Sequence, residues 1–156
     1  MKPAAFDYHR PQNLDDALQL MHDHSDDVVV LAGGQSLMPL LNLRMAAPEV
    51  VVDINGIEEM QNVAVKDGVL HIGSMVRHSR IENEKIFHDH APIMSEAMRS
   101  VAHVQIKTRG TLGGNLCNAH PASEMPAVIT ALEAVLVCRS AERGTREISP
   151  EDFFEG

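Results

Sequence analysis

Val28-Val29-Val30-Leu31-Ala32-Gly33-Gly34-Gln35-Ser36-Leu37-Met38-Pro39 decides how this chain folds. Val28 to Leu31 is a short β-branched run, as in a buried strand. Gly33 and Gly34 lack Cβ, so they accept φ > 0 and let another group approach the backbone closely. Ser36 is placed to cap a following helix over 37–43, and Pro39 is tolerated because it falls in that helix's first turn. A strand that passes through paired glycines into a helix start turns free N–H groups towards an anion, typically phosphate.

Downstream, Pro48 precedes a second apolar run, Val50-Val51-Val52-Asp53-Ile54, closed by Asn55-Gly56. Strand, helix and strand over this length predict a βαβ unit with a right-handed crossover. Upstream, Phe6 to His9 reads as a short strand. Asn13 reads as the N-cap of a helix whose first turn carries Asp15 and Asp16. Leu14, Ala17, Leu18 and Met21 recur at helical spacing and predict one buried stripe, which His22, Asp23, His24 and Asp26 end. Residues 1–56 therefore form a first α/β lobe.

The style then changes. Val63-Ala64-Val65-Lys66-Asp67-Gly68-Val69-Leu70-His71-Ile72 alternates on both sides of Asp-Gly, a hairpin with a type I′ turn. A helix is expected from about Ser79 through Ile81 to Phe87. A second starts at Pro92, with Ile93, Met94, Ala97, Met98 and Val101 on one face. Val104 to Arg109 leads into Thr111-Leu112-Gly113-Gly114-Asn115-Leu116, a second glycine pair followed by an amide side chain. Two such loops can hold the two phosphates of a dinucleotide, although a Gly-Gly pair also serves as an ordinary turn. Neither loop is G-x-G-x-x-G or G-x-x-x-x-G-K-[ST], which excludes Rossmann and P-loop readings. Ser123 is placed to cap a helix through Val128, Ile129 and Leu132. Ala134 to Cys138 reads as a strand that turns at Arg143-Gly144 and returns through Arg146-Glu147-Ile148. Ser149-Pro150 opens a last turn with Phe153 and Phe154, which are expected to pack against something that follows Glu155-Gly156. Residues 57–156 thus form a second lobe, a mixed, largely antiparallel sheet with helices, and the chain is α+β.

A length of 156 residues with 44% hydrophobic side chains supports a real core. The formal charge of −9 argues against a nucleic-acid or anionic-membrane surface. A phosphate site built from backbone N–H groups needs no net positive charge. Cys117 and Cys138 form no C-x-x-C and no zinc spacing, so they read as free buried thiols in a reducing compartment. Met1 to Asp7 has no hydrophobic signal core and no run is long enough to span a bilayer, which points to a cytoplasmic, bacterial-type protein. Aromatic residues make up only 3% of the chain, so no obvious platform for a flat cofactor ring is present.

The motifs carry a resemblance. Ala32-Gly33-Gly34-Gln35-Ser36-Leu37-Met38-Pro39 with Leu41-Asn42-Leu43-Arg44 resembles the first flavin loop of the FAD-binding medium subunits of molybdenum hydroxylases, the carbon monoxide, xanthine, aldehyde and nicotine dehydrogenase type. Gln105-Ile106-Lys107-Thr108-Arg109-Gly110-Thr111-Leu112-Gly113-Gly114-Asn115-Leu116 resembles the second, and His120-Pro121-Ala122-Ser123-Glu124-Met125-Pro126 the segment after it. The resemblance runs through the whole chain in order. It implies the two-lobed FAD-binding fold of vanillyl-alcohol-oxidase-like (PCMH-type) flavoproteins, with FAD as cofactor. It implies a cofactor-binding set of Leu31, Ala32, Gly33, Gly34, Gln35, Ser36 and Leu37 from the first loop, and Thr111, Gly113, Gly114 and Asn115 from the second. Ala32 to Ser36 and Thr111 to Asn115 would donate hydrogen bonds to the pyrophosphate. Glu124 matches an acidic position near the ribityl or isoalloxazine end. Where many relatives have His in the first loop, this chain has Gln35, whose amide still donates and accepts.

The resemblance further implies partners: a molybdenum-cofactor large subunit and a 2Fe–2S small subunit, with electrons passing through FAD to an external acceptor. The two cysteines here are too few for a Cys₄ cluster. No catalytic acid–base residue is expected, because the chemistry is the cofactor's. Relatives continue into a further C-terminal lobe, so this chain corresponds to the first two lobes and is expected to hold FAD weakly or not at all alone. From a different class, the same two lobes could act as a docking or assembly module with an empty flavin site. A small-anion-binding regulator and a different flavin enzyme of the same broad fold also remain open.

Other candidates read as structural. His22/His24 and His88/His90 are i, i+2 pairs that point to different sides of a helix, which disfavours zinc. His120 stands beside the second loop as a neighbour of the cofactor. Lys107 and Arg109 read either as phosphate-neutralising or as solvated charge. Asp53 reads either as a residue that fixes the first loop or as an ordinary strand-end turn residue beside it, the second favoured.

Overall fold

The computed structural model describes residues 1–25 and 27–154; Asp26, Glu155 and Gly156, which the sequence reading placed at a helix end and at the chain end, lie outside them. Strand β1 (Asp7–His9), strand β2 (Val28–Leu31) and strand β3 (Val50–Asp53) form one parallel sheet in the order β1-β3-β2. Val28 pairs with Val50 and Leu31 with Asp53, while Asp7 pairs with Val50 on the other side. β3 is therefore flanked on both edges and buried along its whole length. Its unbroken valine run is what a central parallel strand requires.

Helix α1 (Leu14–Asp23) starts where expected: Asn13 accepts from the Asp16 N–H at 2.8 Å. Only Ala17 of its predicted stripe is buried; Leu14 and Leu20 pack partly against the sheet, and Leu18 and Met21 stay half-exposed. Helix α2 (Leu37–Asn42) links β2 to β3 and completes the βαβ unit. Ser36 does not cap it by its side chain; its backbone is already helical and its hydroxyl makes no cap bond. Two short 3₁₀ turns, Ile54–Gly56 and Glu58–Gln61, follow. Ala17, Val50, Val52, Ile54, Ile57 and Met75 form one buried cluster.

Strands β4 (Val63–Lys66) and β5 (Val69–Ile72) make the expected hairpin, with Asp67 at φ +50° and Gly68 at φ +80°, the two positive values of a type I′ turn. The single helix expected from Ser79 to Phe87 is two, α3 (His78–Asn83) and α4 (Lys85–His90), because Glu84 between them is extended. Helix α5 (Pro92–Ser100) begins on Pro92 and buries Met94, Ser95 and Met98, whereas Ile93 is exposed. Short helix α6 (Val104–Lys107), helix α7 (Leu112–Asn118) and helix α8 (Glu124–Ala131) follow. The chain closes with hairpin β6 (Leu136–Ser140) and β7 (Gly144–Ile148) and the turn α9 (Pro150–Phe153).

The α+β class holds, but the antiparallel strands come as two separate two-stranded hairpins rather than one mixed sheet. The second core gathers Val76, Ile81, Phe87, Met94, Met98, Leu112, Leu116 and Met125 around the helices. Phe153 and Phe154 stack edge to face at 5.0 Å and pack partly onto this core, each remaining half-exposed. Cys117 is exposed and Cys138 half-buried, correcting the expectation of two buried thiols.

Candidate functional site

The first glycine segment, Ala32 to Ser36, crosses from the end of β2 to α2. Gly34 takes φ +70°, the conformation for which a Cβ is costly, and its carbonyl accepts from the Met38 N–H at 3.1 Å. The Gln35 amide folds back and donates to the Gly33 carbonyl at 2.9 Å. Among the described residues, the N–H groups of Gly33, Gly34, Gln35 and Ser36 meet no protein acceptor. Leu31 and Leu37, at the two ends of the segment, are half-buried.

Asp53 does more than end a strand. Its Oδ1 accepts from the Asn55 N–H at 2.9 Å and from Asn55 Nδ2 at 2.6 Å, and its Oδ2 accepts from the Tyr8 hydroxyl. Burial alone would push this carboxyl up, but the bonds from Tyr8 and Asn55 and the charge of Arg10 outweigh it and hold Asp53 below its ordinary range. Asn55 Nδ2, held in this way, also donates to the Ala32 carbonyl at 2.8 Å. Asp53 thus fixes the first glycine segment through Asn55.

The second glycine pair is not a loop but the first turn of α7. Thr111 is the N-cap, 1% exposed, and its hydroxyl accepts from the Gly114 N–H at 3.2 Å. Leu112 N–H donates to the Val76 carbonyl at 2.9 Å and Gly113 N–H to the Ser74 carbonyl at 2.7 Å. A Cβ on Gly113 would lie 2.6 Å from that of Ser74, so this glycine serves close packing, and its N–H is already committed. The group this segment leaves open is the Asn115 side chain. Its Oδ1 accepts from the Ser123 hydroxyl at 2.8 Å, and its Nδ2 has no protein partner among the described residues. Ser123 therefore spends its hydroxyl on Asn115 and does not cap α8. Glu124, half-buried in the first turn of α8, adjoins Asn115 through that bond.

The structure brings the two segments into contact. A Cβ on Gly33 would lie 2.6 Å from the Arg109 carbonyl oxygen and 2.9 Å from Gly110 Cα, and one on Gly114 would lie 3.5 Å from Ala32 Cβ. Arg77 spans them. One guanidinium nitrogen donates to Asn55 Oδ1 at 2.5 Å and another to the Arg109 carbonyl. His78, buried next to it, bonds the Thr111 carbonyl through Nε2 at 2.9 Å, while its Nδ1 is buried without a partner. Sequence reasoning missed Ser74, Asn55, Arg77 and His78, because none sits in a glycine motif.

Three other candidates resolve. Lys107 is buried, with Nζ 2.8 Å from Glu82 Oε1 and 3.2 Å from the Met98 carbonyl, and is neither a phosphate ligand nor a solvated charge. Arg109 is exposed. His120 is exposed and accepts from the Ala122 N–H at 3.1 Å within its own turn. A cleft of about 300 Å³ beside Thr130, Val135, Ile148 and Pro150 and another of about 440 Å³ beside His9, Asp16 and Gln19 contain no residue of either glycine segment.

Residues 4–156 match the family model described as the FAD binding domain in molybdopterin dehydrogenase. The chain belongs to this family. It is 66% identical over its whole length to the caffeine dehydrogenase subunit beta of Pseudomonas sp. strain CBB1, of which it covers 53%. Among solved structures it superposes on quinoline 2-oxidoreductase from Pseudomonas putida 86 with a TM-score of 0.95 at 36% identity, covering all of this chain and 54% of that one. It superposes on the carbon monoxide dehydrogenase of Hydrogenophaga pseudoflava with a TM-score of 0.96 at 33% identity, covering all of this chain and again 54% of the other. The chain spans about half the length of the relatives it matches. The family identified from the glycine motifs, its fold and its FAD cofactor are thereby shown. The residues fit a FAD diphosphate in kind: four unengaged N–H groups and one free amide on two segments in contact, with the Arg77 guanidinium, which has no ion-pair partner among the described residues, bridging them. No helix among the described residues is long and apolar enough to cross a membrane.

Proposed function

We propose that this chain carries the diphosphate-binding part of the FAD site in the medium subunit of a molybdenum-containing dehydrogenase. The observation that supports this reading is the contact of Gly33 with Arg109 and Gly110, which sets the unengaged N–H groups of Gly33 to Ser36 beside the second glycine segment. Main-chain N–H groups in that arrangement form an anion-binding nest. Asn115 Nδ2 supplies a further donor, and Ser123 fixes its direction. Glu124 stands towards the flavin end of the site. Bound FAD supplies the capacity to accept and release electrons; the protein's part is binding, orientation and electrostatics. In this reading the partners are a molybdenum-cofactor subunit and a 2Fe–2S subunit, with FAD lying between them and an external acceptor. The two hydrophobic clusters support a division into lobes near residue 56, with Ile57 and Met75 packing back onto the first.

Titration of the chain with FAD, followed by quenching of flavin fluorescence, tests this. Asn115→Asp keeps an acceptor for Ser123 but replaces the free donor with negative charge. It is expected to weaken FAD binding about tenfold or more, since a charged-group hydrogen bond is lost and repulsion added. Equal affinity of the variant and the parent chain would remove α7 from the site.

A further inference from the structure

We propose that Asn55 and Arg77 are positioning residues that hold the two glycine segments together as one diphosphate site, with Arg77 also placing beside it a positive charge that has no ion-pair partner among the described residues. The proposal rests on the FAD reading for its ligand, but the strut itself is a property of the chain alone.

Three contacts in series carry it. Asn55 Nδ2 donates to the Ala32 carbonyl at 2.8 Å, on the first segment. Arg77 donates to Asn55 Oδ1 at 2.5 Å. The same guanidinium donates to the Arg109 carbonyl, on the backbone entering the second segment. Asn55 is itself oriented by two bonds to Asp53, which Tyr8 holds from β1. The relay therefore starts in the parallel sheet and ends at the start of α7, and Arg77 is also joined to Thr111 by a β-bridge. A planar guanidinium suits this task, because its fixed fork reaches two acceptors at once.

The charge is the second half of the argument. Both acceptors bonded by Arg77 are neutral, and it forms no ion pair among the described residues. Burial and the like charge of Arg109 push Arg77 below the ordinary guanidinium value, and Asp53, turned towards Tyr8 and Asn55, opposes them only partly. In a chain of formal charge −9, a half-buried arginine without a carboxylate partner needs a reason. An anion on the N–H groups of Gly33 to Ser36 supplies one, since Gly33 packs against the same Arg109 carbonyl that Arg77 bonds.

The experiment compares Arg77→Met, Arg77→Lys, Asn55→Ala and the double variant Arg77→Met/Asn55→Ala with the parent chain. Two readouts are used: amide NMR signals without ligand, and FAD affinity at several salt concentrations. Arg77→Met is expected to shift the signals of Gly33–Ser36 and Gly110–Gly114 together. The double variant is expected to shift them no further than either single change, as members of one relay do. FAD binding should weaken about tenfold or more in Arg77→Met, and its salt dependence should become shallower. Arg77→Lys should restore the salt dependence, which follows charge, but not the loop signals, which follow the two-acceptor bridge. Signals disturbed only next to residue 77, or an affinity for FAD unchanged by Arg77→Met, would overturn the proposal. If the parent chain takes up no FAD, the remaining half of the subunit is needed to close the site, and the ligand-free signals alone decide the strut.

Discussion

Gly33 and Arg109 touch: a Cβ on Gly33 would stand 2.6 Å from the Arg109 carbonyl oxygen. The obstructing atom is main chain, fixed in place by the Arg77 bond to that carbonyl and by the Gly110 N–H bond to the Ile106 carbonyl at 2.7 Å. No side-chain rotation can relieve the contact. Gly33→Ala is therefore expected to destabilise the chain by about 1–3 kcal/mol, the cost of overpacking a well-packed site. It should also pry the two segments apart and lower FAD affinity. Gly68→Ala is the control. It meets open space and carries only the cost of φ +80°, roughly 1 kcal/mol, with FAD binding intact. Urea midpoints and FAD titrations of both variants check this.

His78 gives stability a pH dependence. Burial first, and then the charges of Arg77 and Lys107, hold its imidazole below the ordinary 6.5, although the Thr111 carbonyl and Glu124 pull it upward. In the unfolded chain the ring takes its proton near the ordinary value, but in the folded chain only at lower pH. Unfolding therefore takes up a proton between the two, and stability falls as pH drops through 6.5 and levels off below the folded value. His78→Gln keeps a donor for the Thr111 carbonyl and removes the titration. The expected result is a shallower loss of stability below that pH than in the parent, measured by urea unfolding at a series of pH values. Parallel curves for the two proteins would mean that His78 does not contribute.

The buried pair Lys107–Glu82 predicts an asymmetry. Lys107 is the more enclosed partner, with 8% of its side chain exposed against 23% for Glu82. Glu82→Gln leaves a buried ammonium facing a neutral amide and the Met98 carbonyl, and is expected to cost about 3–5 kcal/mol. Lys107→Met leaves the more exposed carboxylate, which water can reach, and is expected to cost less. Neither change should alter FAD affinity beyond its effect on folding. The comparison needs only denaturation curves and a flavin titration.

Features set by neighbouring residues were legible in the sequence. The valine run 50–52 marks the central parallel strand because a strand covered on both faces is apolar at every position; the run 28–30 also forms a parallel strand, but at the sheet edge, half-buried and with Val30 exposed rather than buried as read. Asp67-Gly68 marks its turn because few residue pairs tolerate two positive φ values. The glycine motifs identified the family, and Asn13 capped as read. Features set by distant partners were not legible. Ser36 and Ser123 occupy cap positions, yet one makes no cap bond and the other turns to Asn115. Gly113 looked like a phosphate donor, but Ser74, far upstream, takes its N–H. Asn55 and Arg77 resemble an ordinary strand-end asparagine and a surface arginine until the fold sets them between Ala32 and Arg109. Lys107 read as a phosphate-neutralising or a solvated charge, but the fold buries it in an ion pair with Glu82.

The most direct measurement is an amide NMR titration of the chain with FAD, which reports weak as well as tight binding and locates the ligand residue by residue. A diphosphate held between the two glycine segments predicts shifts concentrated at Gly33 to Ser36 and at the Asn115 side-chain amide, both with the same dependence on FAD concentration. Shifts confined to the cleft beside Thr130 and Ile148, or shifts at Gly33 to Ser36 with none at Asn115, would contradict a shared site on those segments.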